Sequence, residues 1–219
     1  MNKTIHQIFI QFKDGRPLDQ IPIFVQQMSK TKQYCEASEY KYKLWNEDSI
    51  AVLVDKYPHY RSLYDNFRFE IQKVDFIRYL ILYDEGGIYV DCDASPIGDI
   101  DDLFQMDEFF VVWDNDKKQL PYNAVLGSVA KTELYEDIFK EIIRSVEEKN
   151  KIEIYEKLKG RYVFQTTGHF MLNRVLKTHP YVKKLNIMKV YGKGGEVISD
   201  KCPLFEDYSI SEWYKNGNN

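Results

Sequence analysis

The stretch "VDFIRYLILYDEGGIYVDCD", Val74–Asp93, decides the fold. Val74 to Tyr83 is helix-length and apolar on nearly every face, which places it inside a domain rather than on its surface. Gly86 is a helix stop, and Ile88 to Val90 is a short apolar strand whose carboxyl end carries Asp91. A buried helix that passes directly into a buried strand is a unit of a layered α/β fold. Folding alone leaves two features unexplained: Asp75 and Arg78 interrupt the apolar helix, and Asp91 and Asp93 follow the strand two residues apart.

Outward from this block the same alternation continues. Ile5 to Ile10 is a continuous apolar run, read as a buried strand that ends before Gly15 and Pro17, and a helix is expected from about Ile23 to Lys30. In "YKYKLW", Tyr40, Tyr42 and Leu44 alternate with lysines as in a half-buried strand. Asn46 is placed to cap a helix running through Asp55, which Pro58 ends, and a second short helix covers His59 to Asn66. Phe109 to Trp113 and Ala124 to Val129 read as strands. Thr132 and Thr167 are read as caps of helices reaching Val146 and Lys177. The sum predicts an α/β sandwich with a mostly parallel central sheet flanked by helices, one domain over residues 1–219 with a frayed tail at about 215–219.

Composition narrows the partners. A net charge of -4 argues against a polyanion-binding surface, so no nucleic-acid partner is expected. Cys35, Cys92 and Cys202 are scattered and fit neither a disulfide framework nor a zinc spacing. The run Ile5 to Ile10 is too short for a signal sequence, and no run approaches a membrane span. The expectation is a soluble cytoplasmic protein whose membrane association, if any, is peripheral.

Residues i and i+2 of a strand point the same way, roughly 6.5–7 Å apart, so Asp91 and Asp93 at a strand end can share one ligand complex built on a hard divalent ion. The competing account is a turn, because Ser95, Pro96 and Gly98 follow. Asp75 and Arg78, at i, i+3, form an intrahelical ion pair on the simplest reading. In an apolar helix such a pair needs further partners, and a polar ligand would supply them. His6 and Phe9 read as core, Trp213 as a packing anchor, and the "GKGG" of Gly192–Gly195 as a turn.

Taken together, "IHQIF", the central block and "SISEW" resemble the DXD-containing glycosyltransferases of family 32, which include initiating mannosyltransferases, capsule-type transferases and, more distantly, glucosylating bacterial toxins. The resemblance implies a GT-A fold and a metal-dependent, retaining transfer of a sugar from a UDP- or GDP-linked donor to a glycan or other hydroxyl acceptor. It implies Mn²⁺ or Mg²⁺ on the DXD. Carried over by motif, Phe9 stands against the nucleobase, Asp75 and Arg78 hold donor sugar hydroxyls, Tyr89 touches the donor, and Asp91 and Asp93 serve the metal and the donor. Late in the chain "YSISEW" replaces a histidine-containing run of capsule-type relatives. Ser211 and Trp213 match a Ser-x-Trp of the toxin branch, near metal and diphosphate, and Glu212 is a substitute metal ligand. In "TTGHFM", His169 stands where relatives have proline, in a loop that faces the acceptor.

Two other readings compete. "IYVDCDASP" also looks like the first motif of haloacid-dehalogenase phosphatases, with Asp91 as nucleophile, although that motif usually lies near the N-terminus. The missing histidines also fit a nucleotide-sugar-binding module of weak catalytic power.

Overall fold

A computed structural model describes residues 1–13, 15–114, 120–152, 158–191 and 203–208. Its centre is a six-stranded sheet in the order β2-β1-β3-β6-β5-β7. The strands are β1 (Thr4–Ile8), β2 (Lys41–Trp45), β3 (Gly87–Val90), β5 (Phe110–Asp114), β6 (Leu120–Ser128) and β7 (Lys183–Leu185). β1 runs parallel to β2 and to β3, and β7 runs parallel to β5. β6 is antiparallel to both of its neighbours, so the sheet is mixed as well as mostly parallel. A smaller sheet joins β4 (Ala94–Pro96), β9 (Phe205–Asp207) and β8 (Met188–Val190) in that order.

Side-chain alternation along the strands builds a core on each face. Tyr89, Val111 and Leu126 point into one core with α4 (Glu70–Glu85), α6 (Leu134–Lys149) and α8 (His169–Leu176). Ile88, Val90, Phe110 and Val125 point into the other, with Cys35 of α1 (Pro22–Ala37) and Leu103 and Phe104 of α5 (Asp101–Phe104). α7 (Lys159–Thr166) packs on α6 and α8. The predicted GT-A-like α/β architecture with helices on both faces is what forms.

The buried helix of the central block is α4, extending the predicted run by a turn at its start. It stops at Gly86, whose φ is +68°, and Gly87 follows at φ +94°. A Cβ at Gly87 would lie 2.6 Å from the Thr4 carbonyl oxygen, so glycine there lets β3 start hard against β1. α1 is longer than expected. α2 (Glu47–Asp55) carries the predicted Asn46 cap, with Ser49 N–H donating to Asn46 Oδ1 at 3.0 Å. The expected short helix at 59–66 is a 3₁₀ turn at Pro58–Tyr60 followed by α3 (Arg61–Asp65). Neither threonine caps its helix: α6 is entered from Glu133 and α8 from Gly168, without a side-chain cap at either.

His6 is core, as expected, and its packing has a measurable consequence. Trp45 Nε1 donates to His6 Nδ1 at 3.1 Å, which leaves the proton on Nε2 to be donated to the Gly86 carbonyl at 2.9 Å. Burial lowers the His6 pKa to about 4; Gly86 and Glu85 oppose this and Lys43 adds to it. Below its ordinary pKa of 6.5 the unfolded chain takes up a proton that the folded chain refuses. The stability this histidine contributes is therefore complete above that pH and is lost as pH falls toward 4. The loss is about 3 kcal/mol. Replacing His6 with Gln is expected to flatten that part of a urea-midpoint profile against pH; parallel profiles for the two proteins would contradict it.

Candidate active site

β3 ends at Val90, and the next three residues turn. Asp91 N–H still donates to the Ala124 carbonyl at 2.8 Å, and Ala94 N–H donates to the Asp91 carbonyl at 3.0 Å, closing the turn. Asp91 and Asp93 therefore do not share a side by strand alternation, as the spacing suggested. The turn brings both to the wall of one cleft of about 590 Å³ beyond the carboxyl end of β3. The turn is anchored from below: Gln7 Nε2 donates to the Asp91 carbonyl at 3.0 Å, Tyr42 OH donates to Gln7 Oε1 at 3.0 Å, and Cys92 Sγ donates to the Ile8 carbonyl at 3.0 Å. The two carboxylates are thus held by a turn that lines the cleft.

α4 supplies the floor. Arg78 Nη2 lies 2.8 Å from Asp75 Oδ1, and Nη1 lies 3.4 Å from Asp91 Oδ1. Nη1 also donates to the Asn123 carbonyl at 2.7 Å, and the guanidinium lies over the Tyr89 ring at 4.8 Å. Tyr89 OH donates to Asp91 Oδ1 at 2.5 Å. The other oxygen of Asp75 accepts from Thr167 Oγ1 at 2.8 Å. The side chains of Arg78 and Asp75 are 4% and 6% exposed, whereas that of Asp91 is 29% exposed. Asp75 and Arg78 are not an isolated helical pair, then, but the buried part of a cluster whose outer member, Asp91, meets the cleft.

The electrostatics follow from the count of charges. Burial pushes the Asp75 carboxyl above its ordinary range, and Arg78 and the Thr167 hydroxyl oppose that. Burial also pushes Asp91 up, against Arg78 and Tyr89. Burial alone would weaken the Arg78 cation, but Asp91, Tyr89 and Asp75 hold it above its ordinary value. A single guanidinium faces two carboxylates here, and Asp93 lines the same cleft.

The remaining expected residues fall as follows. Phe9 lies just past β1, edge-on to Phe24 of α1 at 6.3 Å between centroids, and both line the cleft. Tyr89 and His169 line it too. Ser211, Glu212 and Trp213, with the Gly192–Gly195 loop and Cys202, lie outside the described residues. Cys35 and Cys92 are buried free thiols.

Several site residues were not legible in advance. Thr167 carried a helix-start signal, but its hydroxyl goes to Asp75. Asp207 of β9 is buried, pairs in register with Ala94, lines the cleft and accepts from Tyr122 OH. Tyr208 N–H donates to the Asp93 carbonyl at 3.1 Å. These contacts join segments more than eighty residues apart, and no local pattern announces them.

Among the described residues, no group of three or more His, Cys, Asp or Glu side chains is arranged to hold a metal ion. Asp91 and Asp93 offer two hard carboxylates on one cleft wall. Small divalent cations are commonly held by one or two carboxylates, with waters and substrate phosphates completing the shell. The donor set fits a cation shared with a ligand rather than one caged by protein.

Sheet order, cleft position and the acidic turn define the GT-A class of glycosyltransferase fold. Solved structures of that architecture superpose on the chain. A glycosyltransferase involved in glycosylating the major capsid of PBCV-1 matches 97% of this chain and 95% of its own with a TM-score of 0.52 at 11% identity. The PaToxG glycosyltransferase matches 81% and 69% with a TM-score of 0.52 at 14% identity. Residues 24–110 match the family described as glycosyltransferase sugar-binding region containing DXD motif. The uncharacterized glycosyltransferase L373 of Acanthamoeba polyphaga mimivirus is 31% identical over 62% of this chain and 53% of its own length. The mannosyl phosphorylinositol ceramide synthase SUR1 of Saccharomyces cerevisiae is 32% identical over 42% of this chain and 23% of its own. The match thus spans about half of the viral relative and a quarter of the yeast one. No helix among the described residues is long and apolar enough to cross a membrane.

Proposed function

We propose that residues 1–219 form one glycosyltransferase domain that moves a sugar from a nucleoside-diphosphate donor to a hydroxyl acceptor, with retention at the anomeric carbon and with a divalent cation on Asp91 and Asp93. The observation that carries this is the Asp75–Arg78–Asp91 cluster: two buried charges in a helix that is otherwise core, joined to an aspartate on the cleft wall after β3. Burying them costs several kcal/mol per ion unless partners offset it, and well-packed apolar residues would serve the fold as well. A ligand that uses the exposed edge of the cluster accounts for its presence.

The chemistry follows from charge. As the glycosidic bond to the diphosphate breaks, positive charge grows at the anomeric carbon and negative charge on the departing phosphate oxygen. A divalent cation, when bound, stabilises that departing charge. Asp91 and Asp93 orient the diphosphate end of the donor and Asp75 accepts from its sugar hydroxyls. Arg78 fixes Asp75 and Asp91 at a set separation and favours the ionised form of both against their burial. Phe9, paired with Phe24, supplies an apolar surface for the base. No protein nucleophile is assigned, in keeping with transfer on the donor's own face. One-bond C1–H1 couplings at the anomeric centre of freshly formed product, read by NMR, test the stereochemistry: an α-linked donor is expected to give an α-linked product, and a β-linked product contradicts the reading. The base and sugar are open between UDP- and GDP-linked hexoses, and a panel of both in the same assay separates them.

A further inference from the structure

Gln7 is fully buried in β1, on the face that carries Ile5 into the core with Cys35 and Phe104. An aliphatic side chain would pack there without the cost of burying an amide. The amide is paired at both ends instead. Nε2 donates to the Asp91 carbonyl at 3.0 Å and, in a longer bond, to the Ala94 carbonyl at 3.5 Å, while Oε1 accepts from Tyr42 OH at 3.0 Å. These partners fix which end of the amide is nitrogen, since a carbonyl can only accept. Burial holds the Tyr42 phenol above its ordinary pKa, so at neutral pH it is the donor of its bond.

The two carbonyls are the ends of the acidic turn. Asp91 opens it and Ala94 closes it, with the Ala94 N–H donating to the Asp91 carbonyl at 3.0 Å. The Asp91 carbonyl thus has a donor already, and burial alone requires no second one. What Gln7 adds is a brace. One side chain spans the turn from beneath, with Cys92 and Asp93 between its two contacts, and Tyr42 of the neighbouring strand β2 holds the amide against rotation. Both bonds act on the backbone that carries the carboxylates, not on the carboxylates themselves. Small divalent cations accept oxygen ligands only over a narrow range of distance, so groups that orient the ligands govern how well the ion is held.

We infer that Gln7 is a positioning residue for the cation: it sets the span of the Asp91–Ala94 turn, and so the separation at which Asp91 and Asp93 present their oxygens, with Tyr42 keeping its amide in place. This rests on the glycosyltransferase reading, which puts a divalent cation on those two aspartates. Gln7 itself lies beneath the cleft wall and not on it.

Calorimetric titrations with UDP and with GDP, each in Mn²⁺ and in EDTA, test this on the wild type, Gln7→Met and Tyr42→Phe. The quantity read is the gain in nucleotide affinity that Mn²⁺ confers. Gln7→Met keeps the length of the side chain and loses its donors, and its metal gain is expected to be about tenfold smaller than that of the wild type, the scale of losing an outer partner of a metal ligand. Tyr42→Phe keeps the ring and frees the amide, and a gain smaller by roughly threefold is expected, the scale of one neutral hydrogen bond. Affinity in EDTA is expected to stay within about twofold of wild type in both, because the brace acts through the cation. A metal gain in Gln7→Met equal to that of the wild type overturns the inference, even with a lowered urea midpoint, and makes Gln7 a packing residue. Equal losses in Mn²⁺ and in EDTA overturn it too, since the whole cleft has then shifted. If Gln7→Met does not fold, Tyr42→Phe decides by the same two criteria. A wild type that binds neither nucleotide, or binds them equally with and without Mn²⁺, defeats the cation reading itself, and this inference falls with it.

Discussion

Asp91→Asn is expected to lower kcat/KM for sugar transfer by on the order of 1000-fold while leaving the fold intact. Asparagine keeps the volume, and the fold is spared because Arg78 retains its 2.8 Å contact with Asp75 and its bond to the Asn123 carbonyl. What is lost is the hard anionic oxygen at the mouth of the cluster. Loss of a single preorganised electrostatic contact to a developing charge commonly costs roughly 100- to 1000-fold. Here the same substitution also weakens the hold on a divalent ion, which places the effect at the upper end. Steady-state rates in Mn²⁺ or Mg²⁺, compared with rates in EDTA, measure it. The wild type should fall to the level of the variant on chelation. Equal rates for wild type and Asp91→Asn would remove Asp91 from the chemistry.

Arg78 separates structure from function more sharply. Arg78→Met is expected to destabilise the protein by about 3–5 kcal/mol, because it leaves Asp75 and Asp91 facing each other without a cation. Adding Asp75→Leu should restore most of that stability, since an apolar pair packs in α4 and Asp91 keeps Tyr89 and the cleft. Turnover should not return with the fold. The double variant is expected to stay at least about 100-fold below wild type, with nucleotide affinity better preserved than transfer, because Phe9 and the acidic turn remain. Urea midpoints beside kcat/KM for the wild type and the two variants decide it. Recovery of both stability and turnover in the double variant would make the pair structural.

How much of this was legible depended on whether the cause was local. α4 and β3 were readable because a buried helix and a buried strand each leave an apolar run, and Gly86 at φ +68° leaves a glycine. Phe9, Asp75, Arg78, Tyr89, Asp91 and Asp93 came with the motif, and the structure gathers all six on one cleft. Where an inference rested on local geometry alone it failed at the join: β3 stops at Val90, and a turn, not strand alternation, presents the two aspartates. Thr167 shows the general difficulty. A threonine before a helix looks like a cap, and only the tertiary approach of the end of α7 to α4 reveals that its hydroxyl belongs to Asp75. β6 is likewise undetermined by its own residues, since nothing in an apolar strand records that both of its neighbours run the other way.

Calorimetric titration of the protein with UDP- and GDP-sugars, in Mn²⁺ and again in EDTA, tests the central claim most directly. The buried cluster opening onto Asp91 and Asp93 predicts that one of these donors binds with a measurable heat in the presence of the divalent ion. It also predicts at least a tenfold weaker association in EDTA, and the same weakening in Asp91→Asn with metal present. Donor binding of equal strength in all three conditions, or no binding of any nucleoside-diphosphate sugar with metal present, would contradict it.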